Sequence, residues 1–161
     1  MAADRVVLIG VGNEYRHDDG AAAAVLAELT ADGVDADRVA LCDGEPTRLI
    51  ELWDGAALAV VIDAVHSHPG DPGRIHRIRT RGDATRPEHP GGGSHGLGLG
   101  EAVALAGVLG RLPGELVVIA VEGGDFTIGQ GLGPEVARAV PRAAELVREV
   151  LAERRVRHGR S

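Results

Sequence analysis

The sequence has almost no cysteine: Cys42 stands alone among 161 residues. One thiol excludes an intramolecular disulfide and any zinc site built from cysteines. Aromatic residues are equally scarce, with a single Phe, a single Trp and a single Tyr. A core must therefore be packed from Ala, Val, Leu and Ile. Positive charge is also in short supply: 17 Lys and Arg face 24 Asp and Glu, a formal net charge of −7, with a sequence pI near 5.4. A nucleic-acid binder normally carries a basic patch. The only basic cluster here is Arg154, Arg155, Arg157, His158 and Arg160, and residues 154–161 are expected to form a frayed, solvated tail. No apolar run approaches the roughly 18 residues of a membrane span, and no secretory pattern precedes Asp4. These absences point to a cytoplasmic protein that engages neither nucleic acid nor membrane.

Glycine, in contrast, is abundant. It supplies 24 of the 161 residues, about twice the usual share, with no Gly-X-Y period. The excess predicts tight turns and close backbone approaches. The length suits one domain, residues 1–153. Along it, strands alternate with helices. Arg5–Val11, Arg38–Cys42, Ala57–Ile62, Arg74–Thr80 and Glu115–Val121 read as strands. Asp19–Thr30, Thr47–Trp53, His95–Leu109 and Pro134–Glu153 read as helices, and the Gly- and Pro-rich Gly82–Ser94 as a loop. Three of the strands are apolar on both faces, the mark of a parallel sheet covered by helices. Between Asp63 and Arg74 there is no room for a crossover helix, so the fourth strand is expected to be antiparallel. Its alternating RIHRIRT pattern suits an edge. The predicted fold is a three-layer α/β sandwich of about five strands, mostly parallel. If the order begins 2-1-3, the loop after strand one and Asp63 share the switch-point crevice where ligands gather.

Four segments carry chemistry. Gly10–Gly20, GVGNEYRHDDG, opens like a dinucleotide fingerprint, but its third glycine would fall at Tyr15. That departure, with the absence of a P-loop lysine, disfavours a nucleotide. What remains is a pair of carboxylates, Asp18 and Asp19, at a helix start. Capping accounts for one of them and leaves the other for a ligand or an acid/base role. Asp63, in VVIDAVHSH, either bonds loop N–H groups or marks a site; His66 and His68 after it suit a solvated loop. His95, in SHGLGLGE, emerges from a glycine-rich loop and is either a surface histidine or a metal ligand. Asp43, in LCDGEPT, is a fourth candidate at the end of strand two, with capping of the next segment as its ordinary role. Cys42 reads as a small buried hydrophobe.

Taken together, GVGNEYRHDDG, DGEPT, VVIDAV and SHGLGLGEAVAL resemble the nickel–iron hydrogenase maturation endopeptidases in order and spacing across most of the chain. The resemblance implies a five-stranded α/β sandwich that removes a C-terminal extension from the precursor of the hydrogenase large subunit. It implies that nickel arrives with the substrate. It places the metal-contacting positions on Asp19, Asp63 and His95, and the substrate-reading turn on Asp43 and Gly44. Two departures stand out: Asp19 occupies a position where the family also uses Glu, and Glu45 replaces a small residue of the turn. The rival class is a non-catalytic nickel-sensing assembly factor or metallochaperone for the same substrate. No nucleophile–base pair stands out, so attack by water is the expected chemistry.

Overall fold

The structure is a computed structural model, and it describes residues 4–67, 69–81 and 97–158. The element order is β1 (Val6–Val11), a 3-10 turn (His17–Gly20), α1 (Ala21–Ala31), β2 (Arg38–Cys42), α2 (Pro46–Trp53), β3 (Leu58–Val65), β4 (Ile75–Arg81), α3 (Leu97–Leu109), β5 (Glu115–Glu122) and α4 (Pro134–His158). One five-stranded sheet runs in the order β2-β1-β3-β5-β4. The first four strands in that order are mutually parallel, and β4 closes the edge antiparallel to β5. The expected α/β sandwich, with its antiparallel edge strand, is therefore the fold.

The period of two in each strand builds two cores. Leu8, Val60, Ile62, Val117 and Ile119 pack with α1 and α4 on one face. Val7, Ile9, Ala59, Val61 and Val118 pack with α2 and α3 on the other. Both are aliphatic, as the scarcity of aromatics requires. Trp53 is the exception, fully buried, with its indole N–H donated to the Arg111 carbonyl at 3.1 Å. The central strands β3 and β5 are buried at every position. That is why their sequences, LAVVIDAV and ELVVIAVE, are nearly continuous apolar runs rather than alternating ones.

Several boundaries differ from the sequence reading, each for a physical reason. The first helix is preceded by a separate 3-10 turn, so Asp19 lies in that turn rather than in α1. β3 runs on to Val65, which puts Asp63 inside the strand rather than at its end. α4 does not stop at Glu153: it continues to His158, and Arg157 reaches back to Glu115 Oε2 at 3.3 Å. Part of the expected solvated tail is thus helix with a tertiary anchor. The Gly82–Ser94 loop and the start of the helix expected from His95 lie outside the described residues. No helix among the described residues is long and apolar enough to cross a membrane.

Candidate active site at the carboxyl edge of the sheet

The register aligns Val11, the last residue of β1, with both Cys42 and Asp63. The chain then leaves the sheet through Gly12, at φ 146°. A Cβ there would come within 2.1 Å of the Asp19 carbonyl oxygen, so only glycine lets the two backbone segments meet. Half-buried Asp19 turns its carboxylate back on this loop, where Oδ2 accepts the Asn13 N–H at 2.8 Å.

Asp63 sits across from this turn. It is 2% exposed, and its Oδ2 has no hydrogen-bond partner among the described residues. Burial pushes its carboxyl up to about 7, the neighbouring charge of Asp19 adds to the rise, and the Ala64 backbone bond opposes it. A buried carboxylate with an unused oxygen is costly. Here it offers an open coordination or proton-accepting position beside a second carboxylate. Two carboxylates with a free oxygen suit a divalent transition-metal ion held in part by other ligands. Among the described residues no three His, Cys, Asp or Glu side chains are grouped to hold a metal by themselves. The third expected member, His95, lies outside those residues. α3, which follows His95 in sequence, packs on the face that Asp63 shares with Val61 and Val65.

The turn after β2 departs from its sequence reading. Asp43 does not cap α2: its Oδ1 accepts the Glu45 N–H at 3.0 Å, closing a small turn. Glu45 is the cap, accepting the N–H groups of Thr47 and Arg48 at 3.2 and 3.0 Å, with Pro46 at the first helical position. The residue that departs from the family pattern therefore has a structural task. Gly44, at φ 92°, abuts the first turn of α3 so closely that a Cβ on Gly98 would lie 1.8 Å from the Gly44 oxygen. Cys42 is half-buried rather than enclosed, because β2 is an edge strand with Val39 and Leu41 exposed. His66 is exposed but stacks at a tilt on Phe126, ring centroids 5.4 Å apart; His68 is outside the described residues.

Asp18 is the residue that sequence reasoning undervalued. It is 2% exposed, and it caps neither the 3-10 turn nor α1. Its carboxylate instead accepts three distant backbone N–H groups. Gly124 and Asp125 donate to Oδ2 at 2.8 and 3.0 Å, and Gly133 donates to Oδ1 at 2.8 Å. Only the glycine density of residues 123–133 signalled a partner for it.

The fold and this site define a five-stranded α/β sandwich protein with paired acidic groups at the carboxyl edge of a parallel sheet. The chain belongs to the hydrogenase maturation protease family, whose pattern its residues 23–150 match. Among relatives, it is 28% identical over 156 residues to the hydrogenase expression/formation protein HupD of Bradyrhizobium diazoefficiens, covering 93% of this chain and 79% of that one. A second HupD, from Thiocapsa roseopersicina, is 29% identical over 92% of this chain and 68% of its own length. The fold is similar to that of the hydrogenase maturating endopeptidase HybD from E. coli, with a TM-score of 0.75 and 23% identity over 92% of this chain and 93% of that one. The NiFe hydrogenase maturation protease HybD from Thermococcus kodakarensis is also similar, with a TM-score of 0.65 and 25% identity over 91% and 98%.

Proposed function

We propose that this chain is an endopeptidase that removes a C-terminal extension from the precursor of a nickel–iron hydrogenase large subunit once nickel has been inserted. Membership of the maturation protease family supports the reaction class. The observation that carries the site is the Oδ2 of buried Asp63, without a hydrogen-bond partner among the described residues and near the charge of Asp19. In this reading Asp19, Asp63 and His95 reach a nickel ion that the precursor itself brings. Such an ion, when bound, can polarise a scissile carbonyl or acidify a water.

The chain's own residues do the rest. Asp63, with a pKa near 7, can accept a proton from attacking water and return it to the leaving amine. Asp19, tethered by the Asn13 amide, supplies a second oxygen contact. Asp43 and Gly44, in the turn next to α3, are the residues assigned in this reading to binding the substrate peptide. Carboxylates and one imidazole, without thiolate, bind nickel modestly on their own, so productive docking depends on an ion already seated in the precursor.

The experiment is to purify the protein free of metal and mix it with nickel-free and nickel-loaded precursor. A shortened subunit from the loaded precursor alone is the expected result. Comparable cleavage of the nickel-free precursor would refute the nickel requirement. Nickel-dependent binding without cleavage would replace the enzyme with the assembly-factor reading.

A further inference from the structure

We propose that Asp18 is a positioning residue for the cleavage: it gathers the amides of the distant loop 123–133 and thereby holds the 3-10 turn so that the Asp19 carboxylate stays on the Asn13 amide, near the charge of Asp63. This inference rests on the proposed function for its activity readout, but its geometry stands independently.

Asp18 and Asp19 are adjacent in a four-residue turn, yet their carboxylates go opposite ways. Asp19 faces the Asn13 amide and the charge of Asp63, while Asp18 is buried among Gly124, Asp125 and Gly133. Three N–H donors on one carboxylate make a charge-assisted anchor. Gly133 also stands immediately before α4, where its carbonyl accepts the Ala137 N–H. The Asp18 charge therefore meets the amino-terminal end of a 25-residue helix, where the helix dipole favours it.

The rest of the turn is locked from the same side. The Asp18 N–H reaches the Asp125 oxygen at 2.9 Å, the His17 N–H reaches the Gly129 oxygen at 2.8 Å, and the Gly129 N–H returns to the Tyr15 oxygen at 2.8 Å. The His17 ring bonds the Gly131 oxygen at 3.0 Å. His17 has φ 44°, the only positive value at a non-glycine position among the described residues. Such a conformation persists only where its surroundings over-determine it, and it recurs at functional sites. The loop is shaped to supply that constraint. A Cβ on Gly129 would come within 2.2 Å of His17 Nε2, and one on Gly123 within 2.8 Å of the Asp18 Cβ. A segment more than 100 residues from Asp19 in sequence thus sets where Asp19 stands.

The test compares wild type, Asp18→Asn, Asp19→Ala and Leu151→Ala. Leu151 is a core residue beside Asp4 and Val6, at the opposite end of the sheet, and serves as a destabilised control. Two quantities are read: steady-state cleavage of nickel-loaded precursor, and the amide proton shift of Asn13, whose N–H reports the place of the Asp19 carboxylate. Asp18→Asn is expected to lower kcat about 100-fold, as misplacement by about 1 Å can, with KM within about threefold of wild type. Its Asn13 shift should move toward that of Asp19→Ala. Leu151→Ala should leave both readouts in place despite a lower melting temperature. An unchanged Asn13 shift in folded Asp18→Asn, or a kcat loss matched by Leu151→Ala, would overturn the inference. If Asp18→Asn does not fold, Gly123→Ala displaces the Asp18 side chain from the loop side and must produce the same pair of changes. Failure of wild type to cleave would sink the proposed function, while the Asn13 shifts would still decide the positioning.

Discussion

Asp18 and Asp63 are buried to the same degree, each 2% exposed, and lie at the same end of the molecule. Their surroundings treat them oppositely. Loop 123–133 gives Asp18 three amide donors, so its charge replaces water with a complete set of partners. Strand β3 gives Asp63 an apolar neighbourhood, leaves Oδ2 bare among the described residues and sets it near another carboxylate. Burial alone therefore does not mark a reactive group. The difference lies in how many donors the fold supplies, and the carboxylate left with one oxygen bare is the one proposed above to carry the chemistry.

The sharpest way to break this comparison is Asp63→Asn, because activity and stability should move in opposite directions. Cleavage should fall by about 10²–10⁴-fold, the usual weight of a proton-transfer group. Stability should rise at alkaline pH. The folded carboxyl titrates at about 7 against an ordinary value of 3.8, so the folded state holds its proton more tightly. Wild-type stability is thus fully expressed below about pH 4 and declines as pH rises toward about 7. A difference of that size between folded and unfolded chains sets a ceiling of about 4 kcal/mol. Melting curves of wild type and Asp63→Asn should coincide near pH 4 and separate by pH 8, with the variant higher. A variant less stable than wild type at pH 8 would mean that Asp63 has hidden partners and is closer to Asp18 in kind.

Asp18→Asn should show the reverse pattern in stability. An amide is neutral and accepts at one oxygen only, so all three donors lose a charged partner and at least one loses its acceptor, at about 1.5–3 kcal/mol for that bond. For a domain of this size that is a fall of roughly 3–12 °C in melting temperature. Equal melting temperatures would show that the loop is held by its backbone bonds to the turn alone.

How much of this contrast was legible in the sequence depends on where the partners lie. β1, β3 and β5 were readable because continuous apolar runs have few alternatives to a doubly covered sheet. β4 was readable because so short a connection after Asp63 cannot make a parallel crossover. Asp63 stood out as a carboxylate breaking such a run, although the strand continues past it to Val65. Asp18 was not, because its donors come from residues 124–133 and no local pattern distinguishes an acid that caps its own helix from one that anchors a distant loop. The capping role given to Asp43 failed for a related reason: Glu45, two residues on, is long enough to reach the N–H groups of Thr47 and Arg48. The extension of α4 to His158 was hidden by its basic composition, which reads as a tail until Glu115 and Glu153 are seen facing Arg157, Arg77 and Arg79.

Asp19→Glu tests the contrast from the reactive side. Its carboxylate would keep its charge near Asp63 but extend one methylene further from a turn that Gly12 holds close. Partial activity is expected, down about tenfold, equivalent to about 1.4 kcal/mol of barrier. Complete loss would mean that the turn fixes the oxygen position as strictly as it fixes the charge.

The smallest effect should come from Cys42→Ala, which asks whether a third group at the same edge shares in the chemistry. Cys42 ends β2 opposite Val11 and is the only candidate thiol in the chain. A nucleophilic cysteine needs its thiolate near neutral pH, and such sites are electropositive. The surroundings of Cys42 act the other way. Burial raises its pKa above the ordinary thiol value; a Gly44 backbone bond opposes it, and the charges of Asp43 and Asp63, which raise it, outnumber that of Arg48, which lowers it. The surroundings therefore disfavour the thiolate. The side chain packs only partly against the α2/α3 core, so trading sulfur for a methyl should cost at most about 1 kcal/mol. Cleavage of nickel-loaded precursor by Cys42→Ala should match wild type within about twofold, and alkylation of the native protein should be slow. A selective loss of kcat at unchanged melting temperature would move the nucleophile from water to sulfur, and with it the role of Asp63 from base to bystander.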